Sequence, residues 1–320
     1  MENKLIFGEN LEEMKKLLID FKGKIDLVYI DPPFATNNEF NISKTRASTI
    51  SKSKDSNLAY NDKFSRKEYL KFLRERLEII KELMSGNSSI YLHIDSKIGH
   101  YVKILMDEVF GEGNFLCDIT RIKCNPKNFS RKNYGNIKDM VLFYSKTKDC
   151  IFNDIRGEIE NTSRFNKTDE DGRKYTTIPL HAPGESNGET GGEFKGMKPP
   201  IGRHWRTSPK ELEILDEKGL IEWSKTGVPR KKLFLDENKG SKIQDVLNFK
   251  DPQYTKYPTE KNYELIELFI QNSSNENSIV LDCFCGSGTS LLAAKNNNRK
   301  YIGIDSSKEA IKVAEEKLSL

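Results

Sequence analysis

The chain has 320 residues, 36% of them hydrophobic, which is ample for a sizeable core and suits one large domain or a domain with an insertion. Its net charge of +4 permits a polyanionic partner without requiring one. No apolar run approaches the ~18 residues of a membrane span, Met1-Glu2-Asn3-Lys4 begins no signal peptide, and five cysteines without a secretion signal imply the reduced thiols of a cytoplasm.

Lys4-Leu5-Ile6-Phe7 reads as a short strand. Gly8-Glu9-Asn10 turns it into an amphipathic helix carrying Leu11, Met14, Leu17 and Leu18. Gly23 precedes a second strand, Ile25-Asp26-Leu27-Val28-Tyr29-Ile30, so the chain opens as a βαβ unit of a parallel sheet. That strand runs into Asp31-Pro32-Pro33-Phe34. Proline donates no N–H and fixes φ, so the ladder stops and the backbone stays stiff and extended. An acid, two rigid carbonyls and a ring then stand at the carboxyl end of a strand, the edge where open α/β sheets bind ligands. Taken alone, the tetrapeptide reads first as a plain strand end with a proline turn.

Residues 41–59 are rich in Ser, Thr, Asn and Lys without a period, and read as a solvated insert or a basic flap. Ser65-x-x-Glu68 is a capping box ahead of a helix bearing Tyr69, Leu73, Leu77, Ile80 and Met84, with Gly86 as its stop. Ser88 to Asp95 forms the next strand, with His93 and Asp95 as structural polar residues or the rim of a site. A helix with Ile98, Val102, Leu105, Met106 and Val109 follows, then strands over Phe115 to Ile122 and Met140 to Tyr144. Between those strands Arg121, Lys123, Lys127, Arg131, Lys132 and Lys138 meet no acid, and Phe129 and Tyr134 are interleaved. Such a mixture suits phosphate and base contacts, although a charge run by itself is more often a solvated face. From Cys150 to about Lys250 the βα rhythm fades into Gly and Pro clusters. There Lys195, Lys198, Arg203, Arg206 and Lys210 flank His204 and Trp205, as in an inserted, loop-rich recognition region.

A helix begins near Tyr257 to Asn262. The strand Ser278 to Leu281 leads into Asp282-Cys283-Phe284-Cys285-Gly286-Ser287-Gly288-Thr289 and an Ala-rich helix. The strand Lys300 to Asp305 and a last helix capped by Ser306-x-x-Glu309 close the chain. Cys283-x-Cys285 is too tight for the usual zinc spacing and reads as small core residues, so no metal site is assigned. Strand, Gly-x-Gly, helix, strand, acid is a nucleotide-binding βαβ. The third glycine of the dinucleotide fingerprint is absent, which argues against a nicotinamide enzyme. Asp282 and Phe284 suit a ligand with an amino group and no phosphates, such as S-adenosylmethionine, and Asp305 can accept from ribose hydroxyls.

At these residues a family resemblance becomes specific. Val280 to Thr289 resembles the cofactor motif of S-adenosylmethionine-dependent DNA methyltransferases, and Asp31-Pro32-Pro33-Phe34 resembles the catalytic motif of those that methylate exocyclic amino groups. The catalytic motif comes first, as in the permuted beta group. Tyr60 to Phe64, Gly202 to Arg206, Gly227 to Arg230 and Tyr257 to Asn262 resemble type III restriction-modification Mod subunits and their shorter type II relatives. The resemblance implies an α/β fold: a doubly wound, mostly parallel, seven-stranded Rossmann-like sheet, circularly permuted. Residues 1–149 would be its catalytic half, 150–250 a target-recognition insertion, and 251–320 the cofactor-binding half. The length is short for a Mod subunit and favours a stand-alone or type II-like enzyme.

It also implies roles. Asp282, Phe284, Gly286, Ser287, Gly288 and Thr289 would line the methionine end of the cofactor, Asp305 the ribose, Glu9 and Asn10 the adenine, and Thr259 and Lys261 the carboxylate. A target base flipped from duplex DNA would stack on Phe34, while Asp31 and the Pro32 carbonyl accept its two amino hydrogens, with no covalent intermediate and no metal. Arg203, His204, Trp205, Arg206, Lys127, Arg131 and Lys132 would contact DNA. The acid at Asp31 points to adenine N6, because cytosine-N4 enzymes more often carry Ser there. The partners so implied are double-stranded DNA, a restriction subunit and a second copy of the chain, with no membrane. Methylation of RNA or of a protein amide, and a catalytically inactive DNA-binding relative, are the rival readings. The permuted order and the basic insertion argue against the first. Intact Asp31 and Gly286 argue against the second.

Overall fold

The computed structural model describes residues 2–33, 66–126, 132–157, 161–252 and 260–319. The chain divides into two compact units, Met1–Ile155 with Gln244–Leu320, and Arg156–Ile243. The first opens with β1 Lys4–Phe7, α1 Asn10–Phe21, β2 Ile25–Ile30, α2 Arg66–Leu83, β3 Met84–Ile94, α3 Gly99–Phe110, β4 Phe115–Ile122 and β5 Lys138–Ser145. The second holds β6 Lys167–Thr168, β7 Lys174–Pro179, β8 His181–Pro183, β9 Arg203–Trp205, α4 Pro209–Glu217, β10 Ile221–Trp223 and β11 Pro229–Phe234. The chain then returns to the first unit with β12 Val246–Leu247, α5 Tyr263–Ser273, β13 Ile279–Asp282, α6 Thr289–Asn296, β14 Lys300–Asp305 and α7 Lys308–Ser319.

The sheet of the first unit runs β1-β14-β13-β2-β3-β5-β4-β12. From β1 to β3 every pair is parallel; β5 is antiparallel to both β3 and β4. This is a mixed, mostly parallel α/β sheet. It has eight strands among the described residues rather than seven, because Val246–Leu247 pairs in parallel with Thr120 and Arg121 at one edge. Two residues are too few to show a period. At the other edge the first strand of the chain lies against the last, Lys4 opposite Ile302 and Phe7 opposite Asp305.

Alternation sorts the two helical layers. On β3, Ile90 and Leu92 join the core shared with α1, α2 and α3, while Tyr91 between them stacks on Phe269 of α5 with centroids 4.2 Å apart. Helices α5, α6 and α7 pack in succession on that second side. β2 is buried at every position but Asp26, as a strand covered on both faces must be.

Three boundaries differ from the sequence reading. α2 ends at Leu83, and Met84 begins β3 opposite Ile25. Gly86 therefore lies in a strand and stops nothing. The last carbonyls of α2 instead accept from Gly23 and Lys24 of the turn before β2, at 3.0 and 2.9 Å, so no glycine cap is required. α5 starts only at Tyr263, where Asn262 accepts from the Leu265 N–H at 2.9 Å. α7 is capped one residue later than expected, Ser307 Oγ accepting from Ala310 N at 3.2 Å. Ser65 and the 41–59 insert lie outside the described residues.

In the second unit a four-stranded sheet, β10-β11-β7-β6, and the hairpin β8-β9 surround a small core of Leu180, Phe194, Trp205, Leu212 and Ile221. Its limits, Arg156–Ile243, fall inside the 150–250 span read from the sequence.

Candidate active site

β13 pairs in parallel with β2, Val280 opposite Leu27 and Leu281 opposite Val28. Two residues 251 positions apart in sequence, Asp31 and Asp282, therefore finish neighbouring strands at one edge of the sheet. Pro32 is buried and Pro33 exposed, which keeps the peptide after Asp31 at the sheet end. Phe34 lies outside the described residues, as do Thr259, Lys127 and Arg131.

Asp31 is the focus of the charge pattern. Its Oδ2 pairs with Lys261 Nζ at 2.9 Å, and its Oδ1 is buried without a hydrogen-bond partner among the described residues. Lys261 thus meets the acid of the first motif, a contact that its place in the sequence did not suggest. The Tyr69 hydroxyl on α2 is a second buried polar atom without a partner there, and the Asp31 charge acts on it. An orphaned buried acceptor carries a desolvation penalty that a ligand hydrogen would relieve.

The glycine-rich turn is set by backbone requirements. Gly286 and Gly288 have φ of +50° and +76°, the left-handed region that glycine enters without strain. A Cβ on Gly288 would also sit 2.9 Å from Ala314 Cβ, whereas one on Gly286 would meet nothing within 4 Å among the described residues. Asp305 ties the turn to β14, its Oδ2 accepting from Gly286 N at 2.9 Å and its Oδ1 from Ser307 N at 2.8 Å. Asp282 is 3% exposed and accepts from Phe284 N at 3.0 Å and from the Ser290 hydroxyl. Burial, with the Asp31 and Asp305 carboxylates nearby, pushes the Asp282 carboxyl up to about 7.

Other predicted residues have structural partners. Asn10 donates to the Cys283 carbonyl at 2.9 Å and accepts from Arg76 Nε at 2.6 Å, so it holds the turn rather than offering a free amide. Arg76 lies 3.5 Å over the Phe72 ring and pairs with Glu9, and Phe72 neighbours Phe284 at 6.2 Å. Ser287 and Thr289 both accept from Lys317 Nζ, at 3.1 and 3.2 Å, and Lys317 pairs with Glu260. Cys283 and Cys285 are free, buried thiols, as read from their size. His93 is wholly buried between Tyr29 Oη (3.2 Å) and Asp139 (3.3 Å); burial, then the Lys261 charge, pull its pKa down. Asp95 accepts from the Lys97 and Ile98 amides ahead of α3. Both therefore belong to the scaffold.

Arg76, Lys317, Glu260 and Ser290 escaped the sequence reading. Arg76 did leave a signal: it falls on the buried stripe of α2 with Tyr69, Leu73, Leu77 and Ile80, where an unpaired charge would be costly.

In the second unit Arg203 and Arg206 are exposed, with Arg203 Nη1 3.3 Å from His181 Nδ1. Partial burial and then the Arg203 and Arg206 charges hold His181 below its ordinary pKa. His204 donates from Nδ1 to the Gly184 carbonyl at 2.8 Å. Trp205 corrects the sequence reading. Its ring is 2% exposed, meets Phe194 edge-on at 6.1 Å and donates Nε1–H to the Gly192 carbonyl at 2.9 Å. It is the apolar centre of its unit and presents no face to a ligand.

Comparison with known proteins gives this geometry a family. The N6/N4 methyltransferase family model, described as DNA methylase, matches residues 25–316. The type II methyltransferase M.EcaI of Enterobacter cloacae is 38% identical over 100% of this chain and 70% of its own length. The type III restriction-modification enzyme StyLTI Mod subunit of Salmonella typhimurium is 24% identical over 93% of this chain, which spans 50% of that subunit. Among solved structures, the M1.HpyAVI–SAM complex superposes with a TM-score of 0.53 at 19% identity, covering 99% of both chains. The PvuII cytosine-N4-specific DNA methyltransferase superposes at 0.56 with 14% identity, covering 99% of this chain and 86% of that one. The chain belongs to the N6/N4 DNA methylase family and is a DNA methyltransferase.

Proposed function

We propose that the enzyme transfers a methyl group from S-adenosylmethionine to the exocyclic N6 amino group of adenine in duplex DNA, after the base is flipped out. The observation that carries this reading is the unpartnered Asp31 Oδ1 at the sheet edge beside the glycine turn. The cofactor suits the residues present. Asp282 and Asp305 supply carboxylates that favour a cationic ligand, and among the described residues the space beside Gly286 is open for close backbone approach. Asp282 to Thr289 and Asp305 would hold it, with Phe284 against it. When bound, it supplies an electrophilic methyl group on a sulfonium.

The remaining chemistry belongs to the chain. Asp31 Oδ1 accepts one amino hydrogen and the Pro32 carbonyl the other, which fixes the amino plane and turns the nitrogen lone pair outward. An aniline-like nitrogen is a weak nucleophile, so orientation supplies much of the rate. The Asp31 carboxylate also offsets the positive charge that grows on that nitrogen. We assign the second unit to target recognition, supported by its exposed Arg203 and Arg206. We read the chain order as a circular permutation, supported by the parallel pairing of β1 with β14. A restriction subunit and a second copy remain proposed partners. The experiment is transfer of labelled methyl from S-adenosylmethionine to duplex DNA, RNA and protein in parallel. Label in DNA alone is expected; label in RNA or protein alone overturns the reading.

Two further outcomes follow from the site. The protonated form of Asp282 prevails below about pH 7 in the free protein, and only the ionised form attracts a cation. Binding of S-adenosylmethionine should therefore tighten as pH rises through 7 and release up to about one proton. Calorimetry in buffers of different ionisation enthalpy measures that proton. A pH-independent affinity removes Asp282 from the cofactor site. Separately, Arg203→Ala and Arg206→Ala should each weaken DNA binding and reduce its log–log salt slope by about 1. Unchanged slopes return both residues to a solvated surface.

A further inference from the structure

Lys261 belongs to three consecutive residues that are pinned in different directions. Glu260 pairs with Lys317, which also holds Ser287 and Thr289 of the glycine turn at 3.1 and 3.2 Å. Asn262 caps α5 through Leu265 N at 2.9 Å and donates to the Lys250 carbonyl at 3.0 Å. With its neighbours so fixed, Lys261 extends to Asp31, and both side chains are largely shielded, at 14% and 21% exposed.

The pairing divides the work of the Asp31 carboxylate. Lys261 Nζ occupies Oδ2, and Oδ1 is left buried and unpartnered among the described residues. Asp31 and Asp282 repel when both are ionised, and the Lys261 cation offsets that repulsion at Asp31. A terminal sp² torsion is soft, so one fixed oxygen also fixes the direction of the other.

We propose that Lys261 is a positioning residue for Asp31: it takes Oδ2 so that Oδ1 is aimed as the acceptor for the target amino group. The inference rests on reading Asp31 as that acceptor. It departs from the role implied by the family resemblance, in which Lys261 meets the cofactor carboxylate. It also joins the two motifs mechanically. The strap from Glu260 to Asn262 is linked to the glycine turn through Lys317 at one end and meets the catalytic acid in its middle.

The test uses the full chain with Lys261→Met and Lys261→Arg, unmethylated plasmid DNA, and S-adenosylmethionine. Lys261→Met should lower kcat about thirty- to a hundred-fold, the scale of a misplaced reacting group. The Kd for S-adenosylmethionine, read by calorimetry, should change by less than about three-fold, since the amino-acid end is held elsewhere. Lys261→Arg should recover most of kcat, because it restores a cation to Oδ2. A Kd that weakens in step with kcat, or a kcat that Lys261→Met leaves untouched, overturns the inference alone. A parent chain that binds the cofactor yet methylates no DNA overturns the activity reading and the inference with it. Should Lys261→Met fail to fold, Lys261→Gln and Lys261→Arg carry the same comparison.

Discussion

Asp31→Ala is expected to lower methyl transfer to DNA by at least about a thousand-fold, at the upper end of the effect of removing one preorganised group at a developing charge. The side chain supplies both the buried acceptor Oδ1 and the negative charge that meets the nitrogen cation. Alanine removes both, and the Lys261 charge is no longer offset by this acid where positive charge must grow. Cofactor affinity should stay within a few-fold of the parent, because Asp282, the glycine turn and Asp305 hold one another through bonds that Asp31 does not enter. Asp31→Asn keeps an acceptor oxygen and should fall between the two. Single-turnover methylation together with a binding isotherm checks all three forms. Full activity in Asp31→Ala would end the assignment of this acid to the chemistry.

The second large effect is on folding. Trp205→Ala should destabilise the second unit by about 3–5 kcal/mol, the range for deleting a large buried aromatic. The ring packs in a small cluster with Leu180, Phe194, Leu212 and Ile221 and satisfies the Gly192 carbonyl. Limited proteolysis of the full chain should then cut within Arg156–Ile243 before it cuts elsewhere. Arg203→Ala and Arg206→Ala, on the same hairpin, should leave the protease pattern unchanged, since both side chains are exposed. A Trp205→Ala protein of normal stability with lost DNA binding would put the ring back at the DNA surface.

These contrasts mark what a linear reading reaches. β1, β2, β4 and β14 fall where the sequence places them; for β2 and β14 the reason is burial on both faces, which writes a strand as a nearly continuous apolar stretch. The adjacency of Asp31 and Asp282 was also readable, since two βαβ units that share one sheet bring their carboxyl ends together. The partners of the acids were not. Lys261 to Asp31, Lys317 to Ser287 and Arg76 to Asn10 are long-range pairs between loops and helix ends, which no period encodes. Trp205 misled for a simpler reason. An aromatic among arginines has the composition of a nucleic-acid contact, but Trp205 turns into the core of its unit while Arg203 and Arg206 on either side stay exposed, and composition alone does not encode that choice. β12 and the exact stop of α2 are settled by pairing with distant backbone.

The central claim is N6 methylation of adenine. Its most direct measurement is digestion to nucleosides of duplex DNA methylated by the purified chain with labelled S-adenosylmethionine. All of the label is predicted in N6-methyldeoxyadenosine, and none of it with Asp31→Ala. Label in N4-methyldeoxycytidine, or DNA left unlabelled by a chain that binds the cofactor, would contradict it.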